Sequence, residues 1–190
     1  MKKVAATGFL VVMSSASPAL AHVGAGDVHS FASGMLHPLS GLDHMLAAFA
    51  VGLWAALSDA RRPLVWPITF VVVMALATVL GAGGVPLPFV EPAIAGSVLA
   101  LGLLIALSVH AGTWVGAALI ALFAVVHGHA HGAEGGASLS YLSGLVVATA
   151  VLHAAGLASG RAAQLLNATL AARAVGGLIA AAGVWLLAAG

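Results

Sequence analysis

The sequence predicts an all-α fold, a polytopic integral membrane bundle of about six transmembrane helices after a cleaved signal peptide. Two observations carry this. The 190 residues are 62% hydrophobic and 6% charged, against roughly 25% charged residues in a soluble domain. The apolar blocks are also long and uniform, unlike the alternating strands of roughly ten residues in a membrane barrel, so they must satisfy their backbone groups as helices.

The elements follow in chain order. Lys2-Lys3, the apolar stretch Val4 to Met13 and Ala19-Leu20-Ala21 have the charge, core and small-residue pattern of a secretory signal over residues 1–21. Cleavage there leaves His22 first and residues 22–190 as a single six-helix transmembrane domain. Spans are expected at about 35–57, 63–82, 90–109, 113–131, 138–158 and 167–189, each near the length needed to cross hydrocarbon. The breaks between them are rich in turn formers or charge, as in SDARRP at 58–63, GAGGVPLP at 81–88 and SGRAAQ at 159–164. The glycines and alanines suit close helix packing, for example through Gly52-Ala56 and Gly112-Gly116.

Charge sets an orientation. With the mature N-terminus outside, Arg61, Arg62 and Arg161 fall in cytoplasmic breaks and Arg173 lies near the cytoplasmic start of the last span, as the positive-inside rule requires. Asp27, Glu91 and Glu134 then fall on the outer side. The expected location is a bacterial cytoplasmic membrane with a periplasmic mature N-terminus.

Two clusters of ionisable side chains interrupt the hydrocarbon, HPLSGLDH at 37–44 and FAVVHGHAHGAE at 123–134. Ionisable groups at membrane depth mark a pathway or a site by default. In the second cluster His127, His131 and Glu134 are spaced four and three residues apart, so a helix stacks them on one face as two imidazoles and a carboxylate within reach of one ion. His129 points to the opposite side, toward a role in admitting the ion or in bundle packing. In the first, His37 and His44 are seven apart and share a face, and Pro38 suits a first helical turn with His37 at its mouth. Asp43 either ligates metal or accepts the second ring N–H of a ligand histidine. With nine His and no Cys, the donors are nitrogen and oxygen, suited to Ni2+, Co2+, Zn2+ or Cu2+. His22, with Asp27 and His29, forms either an outer collecting arm or a solvated tail. His110 and His153 lie toward the cytoplasmic side, as inner stations or as ordinary buried hydrogen-bonding groups.

Composition also excludes classes. Net charge is +1 with no long basic run, so nucleic-acid binding has no electrostatic basis. No nucleotide-binding motif is present, and the absence of Cys removes thiol catalysis.

The motifs HPLSGLDH, followed by GLWA, and FAVVHGHAHGAE resemble the signatures of the HupE/UreJ family of nickel permeases. The resemblance runs from the N-terminal histidine segment through the last span. It implies a six-helix secondary transporter, not an enzyme, that takes up Ni2+ or Co2+ for maturation of hydrogenase or urease. By position it assigns His37, Asp43, His44, His127, His131 and Glu134 to the metal path, and His22 only loosely; His129 is an extra histidine in the second motif. The ion is bound transiently as cargo, no prosthetic group is expected, and the other partner is the lipid bilayer. A rival reading of the same donors is an intramembrane zinc-dependent hydrolase, against which stands the scarcity of polar side chains outside the two motifs.

Overall fold

The structure is a computed structural model and describes residues 29–58 and 61–190. The expected signal peptide, His22 and Asp27 lie outside the described residues. Among the described residues every regular element is a helix: α1 (Phe31–Ser40), α2 (Leu42–Leu57), α3 (Val65–Ala82), α4 (Val90–Ala106), α5 (Thr113–Gly135), α6 (Leu139–Leu165) and α7 (Thr169–Ala189).

Helices α3, α5, α6 and α7 are each long and apolar enough to cross a membrane, and α1 with α2 passes as one unit bent by 86°. Helix α4 is a shorter apolar helix of 17 residues, about 25 Å at 1.5 Å per residue. Length and composition therefore give four spans, or five with the bent pair counted once. The protein is a multi-pass membrane protein whose outward side chains are apolar, such as Ile68, Leu76, Leu122 and Leu178. Its buried polar side chains among the described residues are Thr78, Ser97, His127, His131, Thr149 and His153.

Three expectations need correction. The first span, 35–57, is broken at Gly41, whose backbone is extended (φ −92°, ψ 118°). Helix α1 starts earlier because the Ser30 hydroxyl caps it, accepting from the Ser33 N–H at 3.1 Å. Pro38 thus sits inside α1 near its end, not in a first turn, where its missing N–H weakens the ladder just before the break. The segment 159–164 is helical, not a break, because Gly160 packs on Ala56 and Leu53 of α2 and extends α6 to Leu165.

The bundle is held as packed pairs, α3 with α5, α4 with α7, and α2 and α1 with α6. Glycines make the contact faces: a Cβ at Gly132 would collide with the Thr78 carbonyl, at Gly156 with the Phe49 carbonyl, and at Gly144 with the Phe31 carbonyl. This is the small-residue packing expected where lipid supplies no hydrophobic drive between helices. Gly52 belongs to it, against the backbone of His153 on α6. Gly112 does not, having nothing within contact distance, whereas Gly116 packs against the indole of Trp66.

Candidate metal site

The site lies where the α1–α2 bend meets the C-terminal half of α5. His37 occupies the last turn of α1, Asp43 and His44 the first turn of α2, and His127, His131 and Glu134 successive turns of α5. Helix α5 runs to Gly135, so the spacing of the second motif does stack its three side chains on one helix. His37 and His44 meet by a different route from a shared helical face: they lie on two helices, and the bend brings their ring centroids to 6.5 Å.

The four rings form one continuous cluster. Centroid distances are 4.3 Å for His44–His131, 4.8 Å for His44–His127 and 4.9 Å for His37–His131. His127 and His131 are buried at 1% and 2% exposure. The mouth is a cavity of about 210 Å3 lined by His37, Ser40, Gly41, Asp43, His44, Glu91 and Glu134. Three of the five acidic residues of the chain face it, a concentration of negative charge that attracts cations into a low-dielectric recess.

Hydrogen bonds fix which ring nitrogens are free. Asp43 Oδ1 accepts from His44 Nδ1–H at 2.7 Å and from the His44 backbone N–H at 2.7 Å, which leaves His44 Nε2 as a buried lone pair without a partner. The Ser97 hydroxyl donates to the Ile94 carbonyl at 2.7 Å, so its oxygen accepts from His127 Nε2–H at 2.9 Å and the His127 lone pair is on Nδ1. His131 Nδ1 is buried without a partner, and Tyr141 donates its hydroxyl to the His131 carbonyl at 3.3 Å. His37 Nε2 pairs with Glu134 Oε2 at 3.2 Å. Asp43 and Glu134 therefore engage histidines, and the rings pack against one another. Among the described residues no group of three or more His, Cys, Asp or Glu side chains stands ready to hold one metal ion. Ligation by this cluster requires the rings to turn their free nitrogens toward a common point.

A sequence model of the HupE / UreJ protein matches residues 10–186. The Protein HupE of Rhizobium leguminosarum bv. viciae is 42% identical over 195 residues, covering 98% of this chain and 99% of its own length. The chain belongs to the HupE/UreJ family. No solved structure matches it.

In this HupE/UreJ chain, His129 stands apart from the cluster and donates Nε2–H to the Val85 carbonyl at 2.6 Å, tying α5 to the loop that follows α3. His29 lies at the C-terminal end of α5, with Nδ1 3.2 Å from the Gly135 carbonyl. Glu91 and Ser97 of α4 escaped the sequence reading. Glu91 had only its outer position to recommend it, and Ser97 is a common small residue in a membrane helix. Their i, i+6 spacing within α4 carries no chelating signature, and only the packing of α4 beside α5 brings Ser97 to His127.

Proposed function

We propose that this protein is a secondary transporter that takes up divalent transition-metal ions, Ni2+ first and Co2+ second, from the periplasmic side for maturation of metalloenzymes such as hydrogenase or urease. The observation that carries the reading is the convergence of His37, His44, His127 and His131 behind a cavity lined by carboxylates, inside an apolar helical bundle. Membership of the HupE/UreJ family supports it. Imidazole and carboxylate without sulfur suit Ni2+ and Co2+, and each ring has a neutral form with one nitrogen free to bind.

The arginines support this sidedness. Arg61 and Arg62 follow α2, and Arg161 and Arg173 lie near the α6–α7 junction, at the end of the bundle opposite the cluster, which the positive-inside rule makes cytoplasmic. Counting α4 and the bent α1–α2 pair as one crossing each gives six, which is in keeping with a bacterial inner membrane protein whose cluster faces the periplasm. A potential of 100 mV favours inward movement of a divalent ion by about 4.6 kcal/mol, so transport needs no nucleotide.

The test is metal accumulation in cells expressing the full chain, comparing Ni, Co, Zn and Cu. Wild type is expected to concentrate Ni and, less strongly, Co, with accumulation abolished in His127→Ala or Asp43→Ala and largely retained in His129→Ala or after replacement of His22. Accumulation of none of the four metals above the empty-vector level overturns the reading.

A further inference from the structure

His153 is a buried imidazole outside the cluster. It lies in the middle of α6 at 2% exposure, and its Nδ1–H donates to the Ala48 carbonyl of α2 at 2.6 Å. That bond places the lone pair on Nε2, which is buried and has no hydrogen-bond partner. An ordinary core position would use an apolar ring here, because a buried acceptor left unmade lowers stability. The pattern is that of His44 and also of His129, with one nitrogen anchored by an oxygen and the other left open, so its depth in the bundle is what sets His153 apart. Metal-binding histidines characteristically have this arrangement.

Position supports the same role. The Phe70 ring touches both places, 5.7 Å from the His127 ring and 5.1 Å, edge-on at 85°, from the His153 ring. Along α2, Ala48 is one turn past His44, about 6 Å, and Trp54 lies about 9 Å further on. Trp54 helps line a cavity of about 350 Å3, part apolar and part polar, with Ser108, His110, Gln164 and Arg173 at the arginine-bearing end. His153 is thus at a depth between the outer cluster and this inner cavity. The neighbouring polar groups are buried as well: Thr149, one turn before it on α6, donates to the Met74 sulfur at 3.6 Å.

We propose that His153 is an inner binding station for the transported divalent ion, receiving it on Nε2 from the outer imidazole cluster after the Phe70 side chain moves aside. The ion exchanges the imidazoles of the outer cluster for the single imidazole of His153, and the Ala48 carbonyl holds that ring in the accepting tautomer. This inference rests on the transport reading above.

The test uses the full chain and Ni2+ as probe, with two measurements: equilibrium Ni2+ binding in detergent and Ni2+ flux per molecule in proteoliposomes. His153→Asn can keep a donor for the Ala48 carbonyl and lacks the far ring nitrogen. The expected result is Ni2+ binding within about twofold of wild type, KM nearly unchanged, and maximal flux reduced at least tenfold. Wild-type flux in His153→Asn overturns the proposal and leaves His153 as a hydrogen-bonding strut. Parallel loss of binding and flux also overturns it, since His153 then supports the outer cluster. Where His153→Asn is not recovered as a monodisperse protein, His153→Phe decides by the same criteria. A wild-type chain that binds Ni2+ and moves none overturns the transport reading itself, a result distinct from any difference between variants.

Discussion

Asp43 and His44 are joined through a single oxygen: Asp43 Oδ1 accepts both the ring Nδ1–H and the backbone N–H of His44, each at 2.7 Å. The carboxylate thereby holds the ring in the tautomer whose Nε2 faces no protein partner. Gly41 makes room for this pair, since a Cβ there would lie 2.8 Å from Asp43 Oδ1 and 3.2 Å from His44 Nδ1.

Asp43→Ala is accordingly expected to weaken Ni2+ binding by about 10- to 100-fold, the range for removing a group that orients a ligand histidine. Asp43→Asn, which can keep a neutral acceptor at the same place, should lose less. Calorimetric titration of the purified variants checks the order, and equal affinity in Asp43→Ala and wild type would show that the carboxylate neither orients nor ligates.

Ser97 plays the corresponding part for His127. Its hydroxyl proton is committed to Ile94, which makes its oxygen the acceptor for His127 Nε2–H. Ser97→Ala removes that acceptor in a buried place, and about a tenfold loss of Ni2+ affinity is expected. The protein should remain in the membrane, because alanine fits the helix. Unchanged affinity would mean that His127 binds no metal or that its tautomer needs no help.

Proton competition gives a third expectation. Imidazole has an ordinary pKa of about 6.5 and binds metal only when neutral. Protonation opposes binding, so apparent affinity should fall as the outer medium is acidified. The loss approaches about tenfold per pH unit for each proton displaced. Initial rates of Ni2+ uptake at fixed membrane potential measure this, and a KM that stays flat over the whole pH range in which the protein remains folded would remove imidazole protonation from the capture step.

The packing of α4 against α7 makes a contrast between adjacent residues. A Cβ at Gly176 would meet Ala106 and Ile105, whereas one at Gly177 has nothing within contact distance. Gly176→Ala should destabilise by about 1–3 kcal/mol through overpacking. Gly177→Ala should be neutral or stabilising by up to about 1 kcal/mol, as expected for Gly to Ala within a helix. Thermal unfolding of the two variants in the same detergent compares them directly, and equal Tm values would show that α4 and α7 do not meet through Gly176.

The sequence by itself determined the helical membrane class and the stacking of His127, His131 and Glu134. Hydrocarbon leaves the backbone few ways to satisfy its hydrogen bonds, and 3.6 residues per turn aligns those positions whatever surrounds them. It also marked both motifs, because histidine and carboxylate are costly at membrane depth without a purpose. Only the tertiary structure decided how His37 reaches the cluster. A helical repeat placed it on a face with His44, while the bend at Gly41 puts it on a separate helix, turned against His131. The parts of Ser97 and Glu91 likewise had no local signal, since they arise from α4 docking beside α2 and α5. Local periodicity reports which residues of one helix lie together. Which helices then meet depends on where glycine lets two backbones approach, as at Gly132 with Thr78 and Gly156 with Phe49, and that is a property of pairs of surfaces distant in the chain.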